Sequence, residues 1–146
     1  RRSSIDGLRS LGVDPEQITD GVLPHHHPDH TLNAGLFPEA RVHDHWAIYR
    51  DDSWTPRPAH GFEVSPSIRL AETPGHSPQD ITTLVGTQSG LVALTHLWFM
   101  SVGPADDPFC SDGDSLHIHR SRVLEVADQI VPGHGPAFKP DASTPR

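Results

Sequence analysis

Four histidines and an aspartate fall within the six residues from His25 to His30, in "LPHHHPDHT". Stripped to its donors, the segment reads H-x-H-x-D-H. Imidazole nitrogens and carboxylate oxygens suit zinc, and they also hold iron or manganese. In an extended or tightly turned backbone His25 and His27 project to the same side, so both can reach one ion. Asp29 and His30 follow the turn at Pro28 and can face a second position nearby. His26 is expected to point away. Two further histidines stand in matching turns, His76 in "TPGHSPQD" and His134 in "VPGHGP". Pro-Gly ahead of a histidine implies a sharp turn at a strand end, which holds the ring still. A lone histidine is ordinarily structural or exposed. Two in matching turns, beside a four-donor cluster, predict a shared metal centre.

Those donors need elements to position them. Ile5, Leu8 and Leu11 are spaced for a helix over 4–13, with Gly12 as its stop. A short strand over 20–23 leads into the histidine cluster, and "DHTLNAGLF" reads as a short helix leaving it. "ARVHDHWAIYR" is compatible with a strand entry or a helix. Residues 51–60 are rich in proline and polar groups and read as a surface loop. Strands are expected over 61–64, 67–72 and 80–86, then a "TQSG" hairpin turn. The run "LVALTHLWFM" reads as a strand covered on both faces. A Pro/Gly/Asp-rich loop follows over 102–114. A helix over 115–130 would bury Leu116, Val123, Ala127 and Ile130, and the tail from Lys139 is expected to fray. Helices interspersed with buried strands make this an α/β chain with its histidine turns at strand ends.

Composition bounds the rest. The 146 residues are read as one domain, 1–146. A formal charge of −8 argues against a general affinity for nucleic acid, which leans on Lys and Arg. No apolar run is long enough to span a bilayer. The single cysteine, Cys110, permits no internal disulfide and fits a reducing compartment, so a cytoplasmic location is expected.

The ordered set H-x-H-x-D-H, T-P-G-H and P-G-H-G resembles the ligand signature of the metallo-β-lactamase superfamily. The wording around it, "NAGLFP", "TPGHSPQD" and "RSRVLEVADQIVPGHGPAF", looks nearest to the metallo-β-lactamase domain-containing protein 1 group. The likeness runs from about Ile5 to Phe138. It implies an αββα sandwich with two divalent metal ions at one edge. Zinc is the expected metal, iron or manganese the alternatives, and a single ion is also compatible. By the family pattern His25, His27 and His76 would hold the first ion, and Asp29, His30 and His134 the second. A water or hydroxide between them would attack an ester, amide or phosphodiester. The physics agrees, because a bound cation lowers the pKa of water from about 16 toward about 7. Asp29 is the candidate catalytic residue, orienting that nucleophile or shuttling its proton.

Three departures accompany the likeness. Thr95-His96 in "ALTHLWF" stands where the family carries Gly-Asp, whose carboxylate bridges the metals. One imidazole nitrogen cannot bridge two ions, but His96 can serve as a terminal ligand of the second. Pro24 stands where a threonine is common, which removes an outer hydrogen bond. The strands that precede the first helix in this fold are missing ahead of Arg1, so the domain is expected to be N-terminally incomplete.

The remaining histidines carry less. His43 and His45 flank Asp44 without a third donor nearby, and Trp46 and Tyr49 make that segment a groove wall or packing. His117 and His119 diverge around a helix and cannot share an ion. Trp98 and Phe99 read as core with a substrate-pocket wall as the alternative, and "GPADDPFCSDGD" as a surface loop with a lid as the alternative. The leading functional expectation is a metal-dependent hydrolase of an ester, thioester, lactone or phosphodiester in a small-molecule substrate. A catalytically inert metal-binding domain, or a fragment needing a partner, is the alternative. The nearest group is described as ribonucleases, which keeps a nucleic-acid substrate in view against the acidic balance, and a homo-oligomer is compatible with all of these.

Overall fold

The computed structural model describes residues 2–146. Helix α1 (Arg2–Ser10) ends two residues before Gly12, whose φ of +75° is the left-handed conformation that glycine adopts without penalty. Leu11 falls outside the helix and is exposed, so the face expected from Ile5, Leu8 and Leu11 loses its last member.

Two sheets follow. The first runs β1 (Asp20–Val22), β2 (Arg41–His43), β3 (Ala47–Arg50), β4 (Ser53–Pro56), with β1 parallel to β2 and the other pairs antiparallel. The ambiguous "ARVHDHWAIYR" thus resolves into two strands. Its turn is organised by buried Asp44, whose Oδ1 accepts from the N–H groups of Trp46 and Ala47 at 2.8 Å each. The loop expected over 51–60 contains β4, an exposed edge strand closing on Pro56, where a proline costs no ladder bond.

The second sheet runs β5 (Glu63–Ser65), β6 (Ile68–Glu72), β7 (Ile81–Thr87), β8 (Gly90–Leu94), β9 (Gln129–Val131), antiparallel except for the parallel β8–β9 pair. Strand β8 stops at Leu94 rather than running on to Met100. The Thr95 N–H still bonds Val131 O at 3.0 Å, but its hydroxyl then accepts from Leu97 N, which turns the chain out of the sheet.

The short helix α2 (Pro28–Thr31) opens directly on the histidine cluster. Helix α3 (Gly113–Leu124) is capped by Asp112, which accepts from Ser115 N at 3.0 Å. It is shorter than expected, and Ile130 belongs to β9. The predicted apolar set nevertheless meets: Leu116, Val123, Ala127 and Ile130 pack with Ala93, Leu97 and Trp98 into one core. A second core joins Leu70 and Ile81 of the second sheet to Ala59, with Val22 of the first sheet against it. The tail does not fray. Phe138 exchanges both backbone hydrogen bonds with Ile130, Thr144 is buried, and Trp98 Nε1 donates to Pro145 O at 2.7 Å.

Arg120 fixes the segment after β8. Buried on α3, it donates from Nε to Leu97 O at 2.7 Å and from its guanidinium to the carbonyls of Pro104 and Ala105. A guanidinium with its donors spent on backbone carbonyls is a rigid staple. It anchors the loop that brings Asp107 to the site.

Candidate metal centre

The donors arrive from four turns. The segment after β1 carries His25 to His30 and is tied at both sides: Leu23 N bonds His43 O, and Ile81 N bonds Pro24 O. His76 follows β6, His96 follows β8, and His134 follows β9. All of the histidines predicted as ligands come together here, with Asp29 beside them.

The first group meets around His27. Its Nδ1 lies 3.0 Å from His25 Nε2 and 3.1 Å from His76 Nε2. Three ring nitrogens that close cannot all be satisfied by one another's protons. Ligands of a tetrahedral ion with bonds near 2.05 Å would stand about 3.3 Å apart, so the spacing fits a metal. The far nitrogens of two of these rings face carboxylates. His76 Nδ1 donates to Asp107 Oδ2 at 2.6 Å, and His25 Nδ1 sits 3.2 Å from Asp80 Oδ1, off the line of a hydrogen bond. Asp80 is itself held by Ser77, which donates from its N–H and its hydroxyl. Carboxylates behind imidazoles fix the tautomer that leaves Nε2 free toward the site.

The second group meets around Asp29. Its Oδ2 is 3.4 Å from both His30 Nε2 and His134 Nε2. Asp29 is half exposed and can face solvent as well as the histidines. Burial opposes ionisation, but His30, Asp29's own backbone N–H and His134 outweigh it, and the carboxyl lies below its ordinary range. His27 and His30 are both held below the usual imidazole value by burial first, then by His25. Neutral rings keep their lone pairs for a cation.

His96 stands between the groups. Its ring centroid is 4.2 Å from that of His76, 4.7 Å from His25, 4.8 Å from His30 and 5.1 Å from His134. Its donor atom falls within 4.8 Å of those of His25 and His76, and also of those of His30 and His134. Burial, and then the neighbouring imidazoles, push its pKa down to about 3. Nδ1 of His96 and Nε2 of His30 are buried without a hydrogen-bond partner. Orphaned nitrogens inside a ring of imidazoles are lone pairs that a cation would satisfy, so the donor set fits divalent ions.

Both Pro-Gly-His glycines turn out to serve close approach. A Cβ at Gly133 would lie 2.3 Å from His96 Cδ2, and one at Gly75 would lie 2.7 Å from Leu116 Cα on α3. His26 points away as expected, its Nε2 3.1 Å from Asp44 Oδ2 and its ring edge-on to Trp46. His43 and His45 stay out of the cluster; His43 Nε2 faces Asp20 at 2.8 Å. His119 donates to Pro74 O and does not share a site with His117. Trp98 and Phe99 part company. Trp98 is core, whereas the Phe99 ring stacks on His134 at 5.0 Å and 20° and lines the cleft over the cluster. Asp80 and Asp107 were not singled out from sequence. Asp80 sits four residues after His76, a spacing that could have been read. Asp107 is one of several acidic residues in a loop expected at the surface.

No family model matches the chain. Among curated proteins it is 32% identical to metallo-beta-lactamase domain-containing protein 1 of Xenopus laevis over 95% of its length, covering 63% of that protein. It is 34% identical to the human protein of the same name, again over 95% of its length and covering 55% of that relative. The chain therefore spans a little over half the length of these relatives. Among solved structures it superposes on a Staphylococcus aureus protein described as a probable metal-dependent hydrolase, with a TM-score of 0.77, 15% identity, 97% of this chain and 65% of that one. It also superposes on an N-acyl homoserine lactone hydrolase with N-hexanoyl-L-homoserine bound at its metal centre, with a TM-score of 0.68, 22% identity, 90% of this chain and 61% of that one. A di-iron-bound form of TTHA1623 gives a TM-score of 0.65 at 21% identity, over 94% of this chain and 78% of that one. In fold this chain is a metallo-β-lactamase domain, and in sequence it is similar to the proteins called metallo-β-lactamase domain-containing protein 1.

Proposed function

We propose that the domain is a metal-dependent hydrolase of an acyl ester, thioester or lactone, with two adjacent cation positions. His25, His27 and His76 would hold the first ion; Asp29, His30 and His134 would hold the second, with His96 as a further terminal ligand. The observation that carries this reading is the convergence of His25 Nε2 and His76 Nε2 on His27 Nδ1 at 3.0–3.1 Å. Divalent ions there would supply Lewis acidity, making water a competent nucleophile near neutral pH and drawing charge from a carbonyl oxygen.

This chain's own residues do the rest. Asp107 keeps the His76 imidazole turned the right way by a hydrogen bond, and Asp80 places a carboxylate behind His25. Asp29, an ionised carboxylate at neutral pH, takes the proton from the attacking water at a side-chain oxygen and returns it to the leaving oxygen of an ester or lactone, or to the leaving sulfur of a thioester. Phe99 walls one side of the cleft and stacks on the His134 ring, which steadies its orientation. The lactone hydrolase among the structural neighbours adds support for an acyl substrate.

His96 favours a second reading. A ligand set with an imidazole where the fold's relatives bridge by carboxylate would still bind metal and yet be inert. Metal content of the purified protein by plasma mass spectrometry, with chelator-sensitive turnover of p-nitrophenyl butyrate, separates the two. Bound metal with turnover that a chelator abolishes supports the hydrolase. Bound metal without turnover establishes the inert domain, and no metal removes both.

A further inference from the structure

Lone pairs crowded as closely as those of His25, His27 and His76 push their own turn apart unless it is held from behind. The ligand turn has such a hold. His27 is extended, with φ −66° and ψ 145°, so His25 and His27 face the cluster while His26 faces the opposite side. There the His26 Nε2 lies 3.1 Å from Asp44 Oδ2. A carboxylate oxygen accepts, so the imidazole donates, and that contact sets its tautomer. The same ring stands edge-on to Trp46, with centroids 5.0 Å apart.

Asp44 is a firm anchor. It is buried, its Oδ1 accepts from Trp46 N and Ala47 N at 2.8 Å each, and its Oδ2 accepts from the Tyr49 hydroxyl at 2.9 Å. Burial, and then Asp44 itself, raise the Tyr49 pKa, so the phenol keeps the proton it donates. Arg57, 4.7 Å over the Phe62 ring, adds a cation whose field favours the carboxylate. Burying a carboxylate costs free energy that such donors offset. Three of them belong to the turn after β2 and to β3. The fourth, His26, comes from 18 positions away and ties that turn to the metal centre.

We propose that Asp44 and His26 are positioning residues for the first ion. They pull on the ligand turn from its reverse side and hold His25 and His27 at the spacing a cation needs. The inference rests on the metal centre of the hydrolase reading, and goes beyond it by assigning a role to a histidine that is not a ligand. Without the tether the turn spends less of its time in the ligating arrangement, and apparent affinity falls by that fraction.

The test follows zinc affinity on the full chain, by competition with a chromogenic chelator, alongside the thermal midpoint of chelated protein. The site that His76→Ala abolishes identifies the first ion. His26→Ala cuts the tether at an exposed position and should weaken that site about three- to tenfold, the range one ordinary hydrogen bond transmits. The second site should change by less than about twofold, below that range. His26→Gln, whose amide nitrogen reaches where Nε2 does, should restore most of the loss. Unchanged zinc affinity in His26→Ala, with only a lowered thermal midpoint, would overturn the proposal and leave a purely structural pair. Equal weakening of both sites, or a His26→Gln variant as weak as His26→Ala, would overturn it as well. Wild-type protein that binds no zinc would remove the metal centre and this inference together. A selective loss in His26→Ala, in protein without chelator-sensitive turnover of p-nitrophenyl butyrate, would establish the positioning role and remove only the hydrolase reading.

Discussion

His43 and His96 are both buried imidazoles, at 1% and 4% exposure, yet they meet opposite kinds of neighbour. His43 closes β2 with Nε2 on Asp20, a carboxylate that also pairs with Arg41 at 2.8 Å. His96 is surrounded by four other imidazoles. Each has a buried Nδ1 without a partner, so an orphaned nitrogen alone does not distinguish them. Each is also held below the ordinary imidazole range, with burial as the largest cause. The difference lies in what faces the lone pair. Around His43 the Nε2 donor is matched to the Asp20 carboxylate, and only the Nδ1 lone pair is left over. Around His96, His25, His27 and His76, acceptor faces acceptor, and only a proton or a cation relieves that.

The comparison breaks most visibly by removing one ring from each region. His76→Ala should lower chelator-sensitive turnover by about two to four decades, since the ions supply several kcal/mol of barrier lowering. Metal content should fall with it. His43→Asn should leave the metal content as it was and show its effect in thermal stability. Equal metal loss in both variants would mean that the two regions are not chemically distinct.

His96→Ala comes next. As a terminal ligand, His96 should contribute more to the second ion than the ten- to hundredfold that an outer-shell partner contributes. Competitive titration with a chromogenic chelator should show one site weakened beyond a hundredfold and the other nearly untouched. His96→Asp should recover part of the loss by supplying a carboxylate at the same position. Two unchanged sites in His96→Ala would make the ring a spacer over Gly133 instead. Asp107→Asn is the milder probe of the same centre, expected to weaken the first site by about ten- to a hundredfold by releasing His76.

Much of this centre was legible because ligand chemistry is local. H-x-H-x-D-H and two P-G-H turns put their donors at strand ends, where the fold needed only to bring the ends together. What was not legible depends on contacts made at long range. Asp107 looks like every other acidic residue of its loop until Arg120, on another element, pins that loop inward. The tail was expected to fray because nothing local holds it, and Trp98 holds it from 47 positions away. Strand β8 read too long because apolar residues continue past Leu94, although the hydroxyl of Thr95 ends it. Apolar periodicity does not report which element a residue belongs to. Ile130 joined the right core from the wrong secondary structure.

Acid should bear on the two regions through one physical cause. In chelated protein, His96 stays neutral down to about 3, while in the unfolded chain it protonates near 6.5. Between those values the unfolded state binds more protons, so stability falls as pH is lowered through the window and is insensitive to this group above it. Urea midpoints at pH 7.5, 6 and 5 should therefore decline, and His96→Gln should flatten the decline. An unchanged slope in that variant would show that the imidazole cluster does not set the acid response.

The smallest effect is expected where the imidazole already has a carboxylate partner. Asp20 is lowered below its usual carboxyl value: burial works against this, but Arg41, His43 and Thr19 outweigh it. Its contribution is therefore present above the unfolded value of 3.8 and lost only as pH falls through the lower folded value. Asp20→Asn weakens one partly exposed set of hydrogen bonds and should cost about 1 kcal/mol at neutral pH, with both metal affinities retained. Because β1 leads straight into the cluster, the variant also asks how far the ligand turn depends on its approach. Weakened metal binding in Asp20→Asn would mean that His43 and Asp20 hold the turn in register, and the separation between the two regions would fail at β1.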